Sequence, residues 1–388
     1  MNGFNRLQKP LKRLSDSTTG KHLAEARCDE KLMAFQETIF ITGFPGFIAG
    51  RLVERLAREG ARFILLVQSP LVARAQRDIA SIVAKTGADP EDFSIVEGDI
   101  TKPDLGLSSQ DLGRARSQTN TLFHLAAIYD LAVERELAQR VNVQGTEHVN
   151  QFAKSILNLK RYHYVSTCYV AGRRLGLIRE EELRHDAGFR NHYEESKYMA
   201  ELSVDELKSE LPVTIHRPAV VVGDSNTGET AKYDGIYYLI HYLRRWPGGL
   251  SLFNIGNSKV SLNLVPIDFV IEAMVALAKD ERAAGATVQI ADPEPLTTEQ
   301  LFDAIAETVA GRKSAITLPR NLVYPVLMAP GAPKISRLPH SAVPYFFLEQ
   351  AYDTTQSQKL LALHGVQCPP FPSFVKTLIE FVAEHPTL

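Results

Sequence analysis

The stretch "TIFITGFPGFIAGRLVERL", residues 38–56, decides the fold class of this chain. It opens with apolar and β-branched residues, as in a strand buried on both faces, and closes with the apolar spacing of an amphipathic helix. Between the two, Gly43 and Gly46 lie three residues apart, and Ala49 follows three residues later. Small residues at such a turn let a pyrophosphate approach the N–H groups of the helix N-terminus. The stretch therefore predicts a dinucleotide-binding turn, the alternative being a strand, turn and helix with incidental glycines.

Further apolar runs follow at the spacing of a repeated strand and helix unit. The segments between them are long enough for crossover helices, and this alternation predicts a parallel, doubly wound sheet. We predict strands at residues 38–42, 62–68, 93–99, 121–127, 162–167, 213–218 and 286–292. The fold class is therefore α/β, with a Rossmann-type sheet of about seven strands.

The alternation loosens after residue 225, where Gly, Asp, Ser, Asn and Thr make a loop. We expect an NAD(P)-binding domain at 38–225, completed by 262–292. A smaller, mostly helical substrate-binding part is expected at 226–261 and 293–388. Residues 1–37 are interpreted as an N-terminal extension; an organelle-targeting peptide is the alternative, against which their acidic residues argue.

Composition and charge exclude several classes of protein. The net charge of -2 at pH 7 gives no electrostatic reason to expect a nucleic-acid partner. Cys28, Cys168 and Cys368 are too far apart for a CxxC-type zinc site, and their odd number does not suggest a disulfide framework. No apolar run approaches the roughly 18 residues that a transmembrane helix needs. We therefore expect a cytoplasmic protein without a metal site or a transmembrane segment.

The end of the second predicted strand bears on the choice of cofactor. Gln68 stands there, where a carboxylate would bind a ribose 2′-OH and repel a 2′-phosphate. Ser69, Arg74 and Arg77 follow and could bind that phosphate. NADP(H) is therefore expected over NAD(H), unless both arginines merely lie on a solvated helix face.

Two further segments, "YHYVSTCYVAG" at 162–172 and "HYEESKYMAE" at 192–201, carry candidate catalytic groups. In a helix, Tyr193 and Lys197 share one face, where an ammonium group would lower the pKa of the phenol. Ser166 and Thr167 end the fifth predicted strand and supply hydroxyl groups that could hold a substrate oxygen. Together these groups suit a reductase, in which a proton reaches oxygen while hydride reaches carbon. An exposed helical pair is the alternative interpretation of Tyr193 and Lys197.

At this point the chain resembles the extended short-chain dehydrogenase/reductases over nearly all of residues 38–292. Its GxxGxxA spacing fits that superfamily, and "GDITKPDLGLS" and "RPAVVVGDS" make it similar to the branch that holds fatty acyl-CoA reductases and thioester reductase domains. The other matching segments are "TGFPGFIAGRL", "FHLAAIYDL", "NVQGTEHV", "VSTCYVAG", "YEESKYMAE" and "LVPIDFV".

The resemblance implies a role for each matching residue. Thr167, or otherwise Ser166, would hydrogen-bond the substrate carbonyl, and Tyr193 would donate the proton. Lys197 would bind the nicotinamide ribose and tune the phenol, and Asn142 would support a water-mediated proton relay. The glycine turn, the strand ends and the resemblance together imply cofactor contacts from Thr42, Gly43, Phe44, Gly46, Phe47, Ile48, Gln68, Ser69, Arg74, Asp99, Ile100, Ala126, Ala127, Lys197, Pro218 and Val221.

The resemblance points to lipid metabolism, with NADPH-dependent reduction of a lipophilic acyl thioester to an aldehyde or alcohol. The thioester would be a free acyl-CoA or would arrive on a separate carrier protein. The alternative is an aldehyde or ketone reductase, or a hydroxysteroid-like alcohol dehydrogenase, which needs the same catalytic residues. A non-catalytic dinucleotide sensor and a sugar-nucleotide epimerase are the remaining options. The superfamily also suggests a homodimer, which no pattern in the chain itself indicates.

Three other features have competing interpretations. Cys168 follows Thr167 and could form a covalent acyl intermediate, but consecutive strand residues point to opposite faces, so we expect an inert thiol. His124 lies in an apolar strand and is interpreted as a core histidine with satisfied hydrogen bonds. The apolar stretches at 236–247 and 321–333 fit an acyl-chain pocket, a lid that touches a membrane, or ordinary core.

Overall fold

The computed structural model describes residues 37–336 and 338–388. The predicted N-terminal extension, apart from Glu37, therefore lies outside the described residues, and so does Cys28. The β-strands are β1 (Thr38–Thr42), β2 (Arg62–Val67), β3 (Phe93–Glu97), β4 (Thr121–His124), β5 (Arg161–Val165), β6 (Gly176–Ile178), β7 (Val213–Pro218), β8 (Val220–Val222), β9 (Phe253–Asn254), β10 (Leu264–Pro266), β11 (Thr287–Ile290), β12 (Ile316–Thr317) and β13 (Gln350–Tyr352).

Helices connect most of these strands, with short 3₁₀ turns between them. The α-helices are α1 (Phe47–Ala57), α2 (Val72–Thr86), α3 (Ser109–Gln118), α4 (Arg135–Ala138), α5 (Gly145–Ser155), α6 (His192–Glu206), α7 (Ile236–Arg245), α8 (Pro247–Leu250), α9 (Ile267–Lys279), α10 (Thr298–Ala310), α11 (Arg320–Met328), α12 (Ala332–Ser336), α13 (Thr355–Ala362) and α14 (Phe371–Glu384). A π-helical turn, Gln139–Gln144, joins α4 to α5.

The core of the molecule is a parallel sheet of seven strands in the order β11-β7-β5-β4-β1-β2-β3. Every residue of β1, β4, β5 and β7 is buried. Strands covered on both faces need apolar residues at every position rather than at alternate ones, which is why their runs are continuous in the sequence. The predicted seven-stranded Rossmann-type sheet is confirmed.

Helices pack against both faces of this sheet. Apolar residues of α1, α2, α9 and α13 form one cluster with the sheet, and residues of α3, α5 and α6 form the other. The amphipathic spacing of the first segment is thereby explained, because Leu52, Val53 and Leu56 of α1 are all fully buried. The two layers fix the strand ends from which the site is built.

Three of the remaining helices, α7, α10 and α14, pack together in a third apolar cluster. Three short pairs of parallel strands, β8 with β10, β9 with β12 and β6 with β13, connect distant parts of the chain. The β6–β13 pair brings Gln350–Tyr352 beside Gly176–Ile178. The end of the chain thus packs against the part that carries the large sheet, while the domain boundaries remain a prediction.

Candidate active site

A cleft of about 780 Å³ opens at the carboxyl ends of the central strands. Ligands of doubly wound sheets bind at this edge, where successive loops diverge. The cleft brings together all of the predicted site residues except Ser69 and Asn142: Thr42, Gly43, Phe44, Gly46, Phe47, Ile48, Gln68, Arg74, Asp99, Ile100, Ala126, Ala127, Ser166, Thr167, Tyr193, Lys197, Pro218 and Val221.

The turn between β1 and α1 has no room for a side chain at either of its two glycines. Gly43 has a φ of +90°, and a Cβ placed there would lie 2.8 Å from the backbone nitrogen of Ala126. A Cβ on Gly46 would lie 2.6 Å from the carbonyl oxygen of Gly43. The first turn of α1 contains no acidic residue. The turn therefore fits a pyrophosphate, which backbone N–H groups and the helix dipole would bind without repulsion from a carboxylate.

The end of β2 carries an amide rather than a carboxylate, as the sequence indicated. Gln68 Nε2 donates a hydrogen bond to Asp99 Oδ2 at 3.1 Å. The other oxygen of Asp99 accepts from the backbone N–H and the hydroxyl of Thr101, both at 2.8 Å. Burial would raise the pKa of Asp99, but these hydrogen bonds hold it below its ordinary value. Asp99 is thus an oriented carboxylate shared by two strand ends.

Of the two arginines considered for phosphate binding, Arg74 lines the cleft and Arg77 does not. The side chain of Arg74 is 57% exposed and lies 3.7 Å from Asp78 on the next turn of α2. Ser69, in the 3₁₀ turn before α2, also lies outside the cleft lining. Of the two arginines, only Arg74 is therefore placed where it could contact a ligand in the cleft.

Tyr193 lies in the first turn of α6, where Asn191 caps the helix by accepting a hydrogen bond from the N–H of Glu194 at 2.9 Å. The tyrosine ring is 6% exposed. Burial raises the pKa of the Tyr193 phenol, and its hydrogen bond with Thr167 only partly offsets that effect. Burial therefore dominates the pKa of this phenol, and the tuning of the phenol by Lys197 remains a prediction.

Lys197, one helical turn after Tyr193, is buried below the cleft. Its Nζ donates to the hydroxyl of Tyr164 and to the carbonyl oxygen of Val165, both at 2.8 Å. The same nitrogen lies 4.4 Å from the centroid of the Tyr164 ring. Burial lowers the pKa of Lys197 to about 7, although Glu201 opposes that change. The ammonium is thus held by β5 and is close to losing its charge at neutral pH.

The two hydroxyls at the end of β5 have different environments. Ser166 donates a hydrogen bond to Glu201 Oε2, on the buried side of α6. The hydroxyl of Thr167 accepts a hydrogen bond from the backbone N–H of Tyr169 at 3.2 Å and interacts with Tyr193. Thr167 is therefore the hydroxyl that can face a ligand beside Tyr193.

His124, at the end of β4, belongs to a buried chain of hydrogen bonds below the glycine turn. Thr42 Oγ1 accepts from the N–H of Ala126 at 3.1 Å and lies 2.7 Å from His124 Nδ1. His124 Nε2 lies 3.0 Å from Thr146 Oγ1, which donates to the carbonyl of Asn142 at 2.7 Å. Burial lowers the pKa of His124 to about 3, so the ring is neutral, with its proton on Nε2. It is the satisfied core histidine expected from the sequence.

Asn142 lies in the π-helical turn and not on the cleft. Its Oδ1 accepts from the N–H of Ile128 at 2.8 Å, and its Nδ2 donates to Ser196 Oγ at 3.0 Å and to the carbonyl of Ile128 at 3.3 Å. π-turns often occur at functional sites. The observed role of the side chain is to join the loop after β4 to α6, and the proton relay remains a prediction.

Glu201 and Arg217 form a buried ion pair that the sequence analysis missed. Glu201 Oε1 accepts from Arg217 Nε at 2.8 Å and from Nη2 at 2.6 Å. Burial alone would lower the pKa of Arg217, but the Glu201 carboxylate holds it above its ordinary value. Glu201 follows Tyr193 and Lys197 at four-residue steps, so its place on the buried helix face was a signal that could have found it.

A second missed contact joins the C-terminal segment to α6. Tyr345 donates a hydrogen bond to Glu194 Oε1 at 2.5 Å and accepts one from Asn191 Nδ2 at 2.8 Å. Arg190 Nη1 approaches the same carboxylate at 3.2 Å. Glu194 is completely buried and directly follows Tyr193. The N-terminus of the helix that carries the tyrosine is thus held by a residue about 150 positions later.

Metal sites and membrane spans are not found in residues 37–336 and 338–388. Within them, no three or more His, Cys, Asp or Glu side chains group where they could hold a metal ion. The helices of the same residues include none with the length and apolar character to cross a membrane.

Comparisons with known proteins agree with this geometry. The family described as "Male sterility protein" matches residues 41–274. The chain is 23% identical over 320 residues to the protein named fatty acyl-CoA reductase wat of Drosophila melanogaster, covering 72% of this chain and 60% of that one. It is 24% identical over 268 residues to the non-canonical nonribosomal peptide synthetase cpsA of Aspergillus campestris, covering 65% of this chain but 25% of that one. This chain thus spans less than two thirds of either relative.

Among solved structures, the chain is similar to the terminal R domain from the myxalamid PKS-NRPS biosynthetic pathway. The two share 26% sequence identity with a TM-score of 0.75, over 91% of this chain and 92% of that one. The similarity therefore extends beyond the seven-stranded sheet into the C-terminal part.

Proposed function

The chain belongs to the male sterility protein family, and from that membership and its site we propose that it is an NADPH-dependent reductase of a lipophilic acyl thioester. The family and the cleft make it an NAD(P)-dependent oxidoreductase with a nicotinamide cofactor. One observation carries the proposal: Thr167, Tyr193 and Lys197 line the same cleft as the glycine turn. A dinucleotide sensor would need the turn but would have no use for the three side chains.

The glycine turn would hold the pyrophosphate, and Lys197 would bind the ribose next to the nicotinamide. When bound, the nicotinamide supplies the hydride that the carbonyl carbon accepts. The hydroxyls of Thr167 and Tyr193 would bind the carbonyl oxygen and stabilise the negative charge that develops on it. Burial raises the pKa of Tyr193, so the phenol carries its proton at neutral pH. It can donate this proton to the carbonyl oxygen of the substrate.

For a thioester, the same groups would serve a two-stage reaction. Addition of hydride converts the carbonyl carbon into a tetrahedral centre with an oxyanion, which Thr167 and Tyr193 would stabilise. When the oxyanion re-forms the carbonyl, the carbon–sulfur bond breaks and its electron pair leaves with the sulfur. The resulting thiolate takes up one proton and becomes the thiol. One thioester, one hydride and one proton thus give one aldehyde and one thiol; a second hydride and proton would give the alcohol.

The thioester is favoured over other carbonyl substrates by the relatives. The fly protein is named a fatty acyl-CoA reductase, and the matched fungal protein is named a nonribosomal peptide synthetase. We therefore propose an acyl-CoA or a carrier-bound acyl group as substrate, bound between the sheet and the part formed by 226–261 and 293–388. A cytoplasmic location and a homodimer remain predictions.

A reductase of aldehydes or ketones is the second candidate, because the observed groups serve it equally well. The deciding experiment follows NADPH oxidation and free thiol together, with a long-chain acyl-CoA, the matching aldehyde and a bulky ketone. Thiol release with NADPH consumption is the expected result. Consumption with the aldehyde or ketone alone would contradict the thioester proposal.

Tyr198, on the same helix, provides a matched control for testing the role of Tyr193. Tyr193→Phe should lower turnover by roughly a hundredfold or more, since general acid catalysis contributes about 10²–10⁴. Tyr198→Phe removes a hydroxyl from a buried tyrosine of α6 that does not line the cleft. We expect Tyr198→Phe to retain turnover; equal losses in the two variants would assign Tyr193 a structural role.

The preference for NADPH is attributed to Arg74, with Arg77 as its control. Arg74→Gln should raise the KM for NADPH by roughly tenfold and leave that for NADH unchanged, because a charged hydrogen bond to a 2′-phosphate contributes about 1.5–3 kcal/mol. Arg77→Gln should change neither. Equal efficiency of the unaltered protein with NADH and NADPH would refute the preference.

A further inference from the structure

Two segments of the chain, 236–267 and 311–348, contain no aspartate or glutamate. In the whole chain, acidic residues slightly outnumber basic ones, 45 to 43. The two segments instead carry the basic residues Arg244, Arg245, Lys259, Arg312, Lys313, Arg320, Lys334 and Arg337. They also include both apolar stretches that the sequence analysis left open.

The structure joins these two segments into one surface. Strand β9 of the first pairs with β12 of the second, and Phe253 lies opposite Ile316 in that pair. Arg312 Nη2 donates a hydrogen bond to the carbonyl of Gly248, between α7 and β9. Leu318 N–H donates to the carbonyl of Asn254 at 2.8 Å, which carries the contact to the start of α11. Sequence positions about 60 residues apart thus become neighbours.

This surface exposes large apolar side chains. Their exposed fractions run from 37% to 67%, whereas Val323 on the inner side of α11 is 5% exposed and packs against Val343 and Phe347. We call this surface the outer face, and it is formed by Trp246, Phe253, Ile316, Leu322, Val326 and Met328. Contiguous exposed apolar groups usually mark a surface for a partner or a membrane.

Among the described residues, three carboxylates approach the edge of the outer face, and each has a partner. Asp303 accepts a hydrogen bond from the hydroxyl of Ser314 at 2.5 Å. Glu349 lies 3.5 Å from Arg320, and Glu299 accepts a hydrogen bond from the hydroxyl of Thr317 at 2.6 Å. Arg312 and Lys313 lie at the same edge and are exposed. The combination of protruding apolar groups with two segments that carry basic residues and no acidic ones is complementary to an anionic lipid surface.

We propose that the outer face docks on a bilayer that contains anionic phospholipids, with its apolar side chains at the level of the headgroups and its basic residues against the lipid phosphates. Docking involves none of the catalytic groups and goes beyond the proposed activity. It would place the cleft near the phase in which a lipophilic acyl chain accumulates.

The chain provides its own probe, because Trp246 is its single tryptophan and lies on the outer face. Purified full-length protein is mixed with vesicles of phosphatidylcholine and phosphatidylserine, or of phosphatidylcholine alone. We expect the Trp246 emission to shift to the blue and to be quenched by brominated acyl chains, only with the anionic vesicles. Salt should weaken the effect, because it screens the contacts with lipid phosphates.

Matched variants distinguish binding through the outer face from nonspecific adsorption of the protein to vesicles. Leu322→Ser with Val326→Ser should weaken sedimentation with anionic vesicles by roughly tenfold or more, since two aliphatic side chains no longer become buried among the headgroups. Leu157→Ser with Leu175→Ser is the control, since both leucines are exposed elsewhere. It should leave vesicle binding unchanged.

The basic residues have a separate test. Arg312→Gln with Lys313→Gln should weaken binding to anionic vesicles by roughly tenfold or more, because two charges that attract lipid phosphates are removed. The proposal is overturned if anionic vesicles produce no shift, or if the control pair loses as much binding as the outer-face pair. It is also overturned if an acidic carrier protein shifts the Trp246 emission and vesicles do not. Vesicle binding is measured without turnover, so its failure would not be confused with failure of the proposed activity.

Discussion

Replacing Glu201 with glutamine removes the charge that neutralises Arg217 in the interior of the protein. Both side chains are buried, with exposed fractions of 0% and 2%, and two Arg217 nitrogens donate to the same Glu201 oxygen at 2.8 and 2.6 Å. Two unit charges about 4 Å apart attract by about 4 kcal/mol at an effective dielectric constant of about 20. Removing one partner of a buried pair costs about 3–5 kcal/mol. Because glutamine keeps one acceptor oxygen, we expect Glu201→Gln to lower the free energy of unfolding by about 3 kcal/mol.

The measurement is urea unfolding followed by far-UV circular dichroism. With a slope of about 3 kcal/mol per molar urea, the midpoint should fall by about 1 M. The control is Glu206→Gln, which breaks the pair of Arg184 and Glu206 on the surface, with side chains 70% and 68% exposed. Such a pair contributes less than about 1 kcal/mol, so its midpoint should change little.

A double-mutant cycle with Arg217→Met completes the test, since it isolates the coupling between the two charges. If Glu201→Gln is no more destabilising than Glu206→Gln, burial of the pair does not have the energetic effect that we attribute to it. If the cycle shows no coupling, the loss arises from Ser166, the other hydrogen-bond partner of Glu201.

Three further predictions concern buried side chains and the glycine turn. Burial lowers the pKa of His216 to about 3 and that of His163 well below its ordinary value, so the unfolded chain binds these protons first as the pH falls. The free energy of unfolding should therefore decline below about pH 6.5, and His216→Leu should reduce that slope by up to about 1.4 kcal/mol per pH unit; an unchanged slope would contradict it. Cys168, whose pKa burial raises, donates to a backbone carbonyl at 3.2 Å, so Cys168→Ala should retain turnover, and its loss would revive the covalent intermediate. Gly43→Ala should abolish cofactor binding, measured by calorimetry, whereas Gly50→Ala, with open space around its Cβ, should retain it and raise the free energy of unfolding by about 0.5–1 kcal/mol.

The central strands of the large sheet could be predicted because their burial on both faces leaves a continuous apolar run. "TIFIT" is one such run, and each residue of it is buried in β1. The short strands β6 and β13 could not be predicted in this way. With three residues each, they are too short to show an alternation of apolar and polar residues. Their pairing depends on tertiary contacts between distant parts of the chain.

The candidate site was predictable where a residue type is required by geometry. Gly43 is such a case, since its positive φ and its contact with Ala126 exclude a side chain. Side-chain partners were less predictable, because a hydrogen bond between positions far apart leaves no spacing in the sequence. The bond from Tyr345 to Glu194 is an example, and so is the link from Gln68 to Asp99. The effect of burial on the pKa of Tyr193 could not be predicted, because burial cannot be weighed against charge from spacing alone.

The contact of Tyr345 with Glu194 has a consequence for recombining this chain with its relatives. The residue beside Tyr193 is held by the C-terminal segment, so an exchange of that segment also replaces part of the support of α6. A chimera that acquires a foreign C-terminal segment without a hydroxyl at the position of Tyr345 would leave the buried carboxylate of Glu194 with one hydrogen-bond donor fewer, next to the tyrosine that we propose as the proton donor. The C-terminal segment and α6 would therefore have to come from the same parent. A crossover point in a chimera would have to preserve both Tyr345 and Glu194.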